Sequence, residues 1–273
     1  MMPISMEKLR TALVYCFLWL MAFLSIFPFL WMLISATNES NDITKGKITL
    51  GNALVDNYQK FAALFDVGQI FWNSGKIAIA GSVLTLLVSS LAGYGFEVFK
   101  SPTRERFYQG ILVSMMIPFA TLMIPLFILM ASFDMLDTHM AVILPTIASA
   151  YMVFYFRQNT KAFPTELRDA ARVDGLKEWQ IFLFVYVPVM RSTYAAAFII
   201  VFMATWNSFL WPLIVLQSVE LKTITLVLSS LGSSYTPDFG VIMVATIMAT
   251  IPTLAVFFAM QRQFVEGMLG SVK

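Results

Sequence analysis

The side chains that ordinarily carry out chemistry are scarce in this chain. Its 273 residues include one cysteine, Cys16, and one histidine, His139, too few for a thiol pair, a disulfide framework or a Cys/His metal cluster. Two Gly-Lys pairs invite comparison with a phosphate-binding loop, Gly46-Lys47 and Gly75-Lys76, but each is followed by isoleucine, where GxxxxGK[ST] needs a hydroxyl for Mg²⁺. No nucleophile–base pair stands out, so no catalytic residue, no metal and no cofactor are expected in this chain. What is left is the chemistry of contact. One candidate is the charged stretch ELRDAARVDGLKEW, residues 166–179; the other is Trp206-Asn207, a candidate for a translocation pathway because an indole and an amide offer stacking and hydrogen bonding. An interfacial tryptophan anchor is the competing reading of Trp206.

The elements that must position these residues are set by composition. The chain is 59% hydrophobic and 12% charged, with 25 Phe, 18 Met and a mean hydropathy of +0.76. That is too apolar for one water-soluble core, and the fold class expected is all-α and polytopic in the membrane. A bilayer core needs about 20 mostly apolar helical residues. Six stretches qualify, at about 11–34, 77–96, 110–130, 140–156, 194–216 and 239–260, in one transmembrane domain covering 1–273. The first is longer than a signal-peptide core and lacks a clear cleavage site, so it is expected to be retained. Six spans put both termini on one side, where 13 of the 18 Lys and Arg fall against 5 on the other. The positive-inside rule makes that side cytoplasmic, and a net charge of +2 gives no reason to expect nucleic acid.

The 157–193 segment is then the largest cytoplasmic loop. Pro164-Thr165 reads as a helix start, with the hydroxyl able to cap. A short helix over 166–174 should stop at Gly175, which can take a positive φ. A second should run from about Lys177 until Pro188 interrupts it. Ala170 and Ala171 leave one side of the first helix almost bare, open to close approach by another surface. An amphipathic connector with no further role fits the same residues. Six prolines lie within the spans, Pro28, Pro118, Pro125, Pro145, Pro212 and Pro252, and each leaves a backbone carbonyl to be satisfied from elsewhere.

The spacing in the loop resembles the signature of bacterial ABC importer permeases, E-A-A, three residues, G, nine residues, I-x-L-P. Here it reads Asp169-Ala170-Ala171, Gly175, Val185, Val187 and Pro188. The resemblance extends over nearly the whole chain and is nearest to the smaller permease of maltose-type carbohydrate importers. It is carried also by DNYQKF and FWNSGKIAIAGS after Asp56, by WNSFLWPL from Trp206, by KTITLVLSSL from Lys222, and by IPTLAVFFAMQRQFVEGMLGSVK, which lacks that family's further glycine.

The resemblance implies a type I importer permease fold and a set of partners. These are a second, homologous permease, two ATPase subunits carrying ATP and Mg, an extracytoplasmic solute-binding protein, a carbohydrate substrate and membrane lipid. It implies that Asp169, Ala170, Ala171, Arg172, Gly175 and Pro188 couple the loop to an ATPase, with Asp169 and Arg172 in charged contacts at the rim. It implies that Gly232, Ser233, Ser234 and Tyr235, in the turn-rich outer loop 229–238, meet the binding protein. The tail, Gly270, Ser271, Val272 and Lys273, should touch an ATPase. The substrate implied is a di- or oligosaccharide, with glycerol phosphate as an outlier. An ATP-independent secondary transporter or a channel is the alternative. The first normally needs an ionisable group at membrane depth, which the six spans lack, and the second leaves no sequence trace.

Overall fold

The computed structural model describes residues 6–269; Gly270, Ser271, Val272 and Lys273, given above as a contact of the tail, lie outside the described residues. Among the described residues every regular element is helical, as a backbone in hydrocarbon requires. In chain order these are α1 (Met6–Ala36), α2 (Ser40–Thr44), α3 (Leu54–Leu64), α4 (Val67–Val98), α5 (Pro102–Ser114), α6 (Phe119–Ser132), α7 (His139–Ile147) and α8 (Ala150–Thr160). There follow α9 (Thr165–Val173), α10 (Glu178–Ile181), α11 (Val187–Val189), α12 (Arg191–Trp206), α13 (Leu210–Val215), α14 (Ile224–Gly232) and α15 (Phe239–Leu269).

Three helical segments are each long and apolar enough to cross a bilayer, Lys8–Ala36, Val67–Val98 and Phe239–Gln263. Three bent pairs bring the number of spans to six when each pair counts as one: α5 with α6 at 104°, α7 with α8 at 40°, and Glu178–Val189 with α12 at 80°. The stretch 110–130, expected as one span, is therefore broken. Tight i→i−3 bonds at Met115, Met116 and Ile117 close α5, and Pro118, which has no N–H, starts α6. The stretch 194–216 is broken as well. α12 ends at Trp206, Asn207 takes the C-cap, and α13 is a separate short helix. Apolar length alone carries no sign of either break.

Two compact units can be distinguished, one formed by the chain up to residue 67 with 228–250, the other by 68–227 with the chain from 251. In the first, buried Asn57 donates to the carbonyls of Ala36 and Asn38 at 3.0 Å each. A Cβ at Gly240 would lie 2.6 Å from the Asn57 amide, so this close approach requires glycine there. Asp238 caps α15, accepting from the Gly240 N–H at 3.1 Å, and pairs with Lys60 at 3.1 Å.

In the second unit α4 supplies the spine. Its buried positions recur at three- and four-residue steps and are mostly small, Ser74, Ala78, Gly81, Ser82, Thr85, Ser89, Ser90 and Gly93 among them, with Ile70, Ile77, Leu86 and Tyr94 the large exceptions, while Ile79, Val83, Leu87 and Leu91 face outward. Small residues inside and large apolar ones outside are what helix packing in a membrane favours, because close backbone contact replaces the hydrophobic drive. At Gly93 an added Cβ would lie 2.7 Å from the backbone N of Arg157 and from Phe156 Cβ. At the other end Asn73 donates to the carbonyls of Glu220 and Lys222, and the Ser74 hydroxyl accepts from the Ile224 N–H.

Candidate functional site

The loop 157–193 is built around a sharp turn. Helix α9 closes with the Gly175 N–H on the Arg172 carbonyl and the Leu176 N–H on the Ala171 carbonyl, both at 3.0 Å. Gly175 takes φ +83°, the left-handed conformation anticipated for it. The start differs from expectation: Pro164 occupies the N-cap, Thr165 is already the first helical residue, and no side chain caps the end. After the turn, α10 passes through one π-helical turn, Phe182–Tyr186, into α11. Pro188 lies within that continuation and the 80° bend follows at Met190. Proline leaves the carbonyl four residues earlier without its helical donor, and a wider turn is one way a helix absorbs this.

One carboxylate binds the two halves of the loop. Arg168 and Arg172, one helical turn apart on α9, both reach Glu178 at the start of α10, with Arg172 Nε at 2.6 Å and Arg168 Nη2 at 3.3 Å. The Tyr94 hydroxyl of α4 donates to the same carboxylate at 3.4 Å. Arg172 thus has an ion-pair partner within the chain while staying exposed, Asp169 and Ala170 are exposed as well, and Ala171 is buried. The sequence reading passed over Glu178; the signal was two arginines at i and i+4 followed by an acidic residue just past the glycine.

Beneath the turn, Tyr94, Phe163, Phe182, Tyr186 and Met190 form a compact cluster. Tyr186 shares a 2.7 Å hydrogen bond with Thr160, and its ring stacks on Phe182 at 5.3 Å. Beside it, buried Arg157 makes a paired contact with Glu105, 2.7 Å at the shorter arm, reaches Glu97 at 3.3 Å, and lies 3.9 Å over the Tyr108 ring. Paired and stacked, the charge tolerates burial. On the outer surface of the loop, by contrast, apolar side chains stand free: Leu167, Trp179, Phe184 and Val173, the last 88% exposed. Leu167, Ala170 and Val173 follow at intervals of three along α9. A rigid base thus carries an exposed, partly apolar knob.

The other sequence candidates fall elsewhere. Trp206 is 4% exposed and stacks on Phe202 at 5.8 Å, also meeting Phe71, so its ring faces are covered. Asn207 is exposed and its amide donates to the Met203 carbonyl at 2.8 Å. Gly232 ends α14, and Ser233, Ser234 and Tyr235 are exposed beyond it, Tyr235 fully. His139 contacts the Leu221 carbonyl through Nε2, and Cys16 is exposed on α1.

Among the second unit's helices a cavity of about 570 Å³ opens where α7 breaks into α8, with Phe119, Ser149, Tyr151, Thr205, Ser208 and Trp211 in its walls. One proline, Pro145, stands in its wall. Pro145 deprives the Ala141 carbonyl of its helical donor, and the buried Trp211 Nε1–H takes that place at 2.9 Å. Pro212 falls in the first turn of α13, where no intrahelical N–H bond is lost, and the Ser208 carbonyl ahead of that helix accepts from the Thr225 hydroxyl at 2.8 Å.

Comparison with known proteins places this arrangement. Residues 85–270 match the family described as binding-protein-dependent transport system inner membrane component. The chain is similar to the lactose transport system permease protein LacG of Rhizobium radiobacter, 64% identical over 273 residues and covering 100% of both chains. It is 36% identical to the arabinooligosaccharides transport system permease protein AraQ of Halalkalibacterium halodurans, with 92% of each covered. It is 30% identical to the sn-glycerol-3-phosphate transport system permease protein UgpE of Brucella abortus, over 90% of this chain and 92% of that one. Among solved structures, a bacterial ABC transporter involved in import of the acidic polysaccharide alginate has a chain that superposes with a TM-score of 0.85, covering 97% of this chain and 99% of that one. At 18% identity this likeness speaks for the fold alone.

Proposed function

Because this chain belongs to the family of binding-protein-dependent transport system inner membrane components, we propose that it is a permease subunit of an ATP-driven ABC importer for a di- or oligosaccharide. The observation that carries the reading is the braced loop, an exposed surface of Leu167, Asp169, Ala170 and Val173 held on a base fixed by Glu178, Arg168, Arg172 and Tyr94. Such a knob suits a cleft in an ATPase subunit. ATP and Mg belong to two such subunits, and their closure rocks the permease helices as rigid bodies between inward- and outward-facing states. Basic residues concentrated on the side of the termini support a cytoplasmic position for both termini and for the loop.

The relatives' names point to the cargo: lactose for one, arabinooligosaccharides for another, with sn-glycerol 3-phosphate in a third. A solute-binding protein delivers the sugar, Gly232 to Tyr235 meet that protein, and a second, homologous permease completes the path. The 1–273 chain acts in this assembly as one transmembrane permease domain.

Gly175 gives the cleanest test. A Cβ there would meet nothing within 4 Å, yet the backbone sits at φ +83°, so a β-branched substitution acts on conformation alone. Gly175→Val should leave the protein inserted and assembled while sugar-stimulated ATP hydrolysis falls at least tenfold. Stimulation at the wild-type level would contradict the role given to this loop.

A further inference from the structure

The cavity between α7, α8 and α12 has a chemistry of its own. Its walls place the open rings of Phe119 and Tyr151 near the hydroxyls of Ser149 and Ser208, with Thr205 and Trp211 both buried and apolar side chains such as Leu122, Leu126 and Val201 making up much of the rest. Trp211 is fixed by its bond to the Ala141 carbonyl, with Phe119 edge-on to it at 6.2 Å. Ser149 Oγ accepts from the Met152 N–H at 3.3 Å, which leaves its proton free to donate. The hydroxyls of Tyr151, Thr205 and Ser208 have no intramolecular partner among the described residues. No Lys, Arg, His, Asp or Glu lines the cavity. Its volume lies in the ~300–1,000 Å³ range of small-molecule sites.

Resting on the importer reading above, we infer that this cavity is a sugar subsite in which this chain itself holds an uncharged saccharide in transit. The open rings of Phe119 and Tyr151 against C–H faces, with uncommitted hydroxyls beside them, match a neutral polyol. A lipid acyl chain would leave those hydroxyls unsatisfied, and a phosphate or carboxylate would enter with no basic side chain to balance it. The subsite thus selects for neutral sugars over anionic ones. It lies apart from Trp206, whose ring is already covered.

The test uses the assembled transporter purified with its partners. Saturation-transfer NMR without the binding protein should show lactose contacting the wild-type assembly, lactobionate showing none, and Tyr151→Phe with Ser208→Ala losing the lactose signal. In proteoliposomes supplied with binding protein and ATP, the same double variant should deliver about tenfold less lactose per ATP hydrolysed, as the loss of two hydrogen bonds implies. A merely structural defect would lower transport and hydrolysis together. Wild-type lactose delivery per ATP in the double variant, or lactobionate binding as well as lactose, would overturn the subsite while leaving the importer reading intact. Absence of ATP-dependent uptake of lactose and of arabinooligosaccharides alike by the wild-type assembly would overturn both.

Discussion

At the scale of single residues, several positions are held by geometry rather than by apolar character. Asp137 is one. Its carboxylate accepts from the Ser218 hydroxyl and from the Ser218 and Gln217 backbone N–H groups, the latter two at 2.9 and 2.8 Å, and so ties the turn after α6 to the segment before α14. These bonds, the Ser218 hydroxyl first, hold its pKa below the ordinary carboxylate value. A depressed carboxylate stabilises the fold at pH values above its unfolded pKa, and the contribution is lost as pH falls through the folded one. The unfolding temperature of wild type in detergent should therefore drop as pH is lowered past about 4, and Asp137→Asn should flatten that dependence. Identical pH profiles for the two proteins would contradict it. None of this was legible in the sequence, where Asp137 is one acid among 16. Gly175, by contrast, was legible, because a glycine at the end of a short charged helix has few conformational alternatives.

At the scale of elements, the prolines divide the helices and other side chains repair them. Trp211 completes the broken α7 by donating to Ala141. Trp211→Phe keeps most of the ring and orphans that buried carbonyl, which should cost about 1–3 kcal/mol and show as a lower unfolding midpoint; an unchanged midpoint would mean that another donor reaches Ala141. Apolar length pointed to six stretches, yet it could not show that α5 and α6 meet at 104°, that α12 stops at Trp206, or that α12 pairs with Glu178–Val189. A hydropathy window averages across a three-residue break, and carbonyls left without a helical donor are met from distant residues such as Trp211 and Thr225. The face of α4 that packs was legible only in part. Nearly every position is apolar or small, so the Gly, Ser and Ala stripe that marks the buried side stands out once the helix is seen packed.

At the scale of the whole molecule, the reading is of a transport subunit whose loop 157–193 and outer loop 229–238 face opposite sides of the membrane. Labelling can check this directly. In a Cys16→Ser background, Tyr235→Cys should react with a membrane-impermeant maleimide on intact cells, and Val173→Cys only after permeabilisation; the reverse pattern would invert the topology. The family was legible from the DAARVDG spacing, since a signature spread over 20 positions depends on residue types that packing leaves recognisable. The bracing by Arg157 and the cavity beside Trp211 were not, because they join residues from helices far apart in the chain.

The central claim, ATP-driven import through this subunit, is tested most directly by uptake. The assembly is reconstituted into proteoliposomes with binding protein and lactose on the side of the outer loop and ATP on the side of the 157–193 loop. The account predicts lactose accumulation that requires ATP and the binding protein, is abolished by a non-hydrolysable ATP analogue, and ignores imposed proton or sodium gradients. Accumulation driven by such a gradient without ATP, or passive equilibration of the sugar, would contradict it.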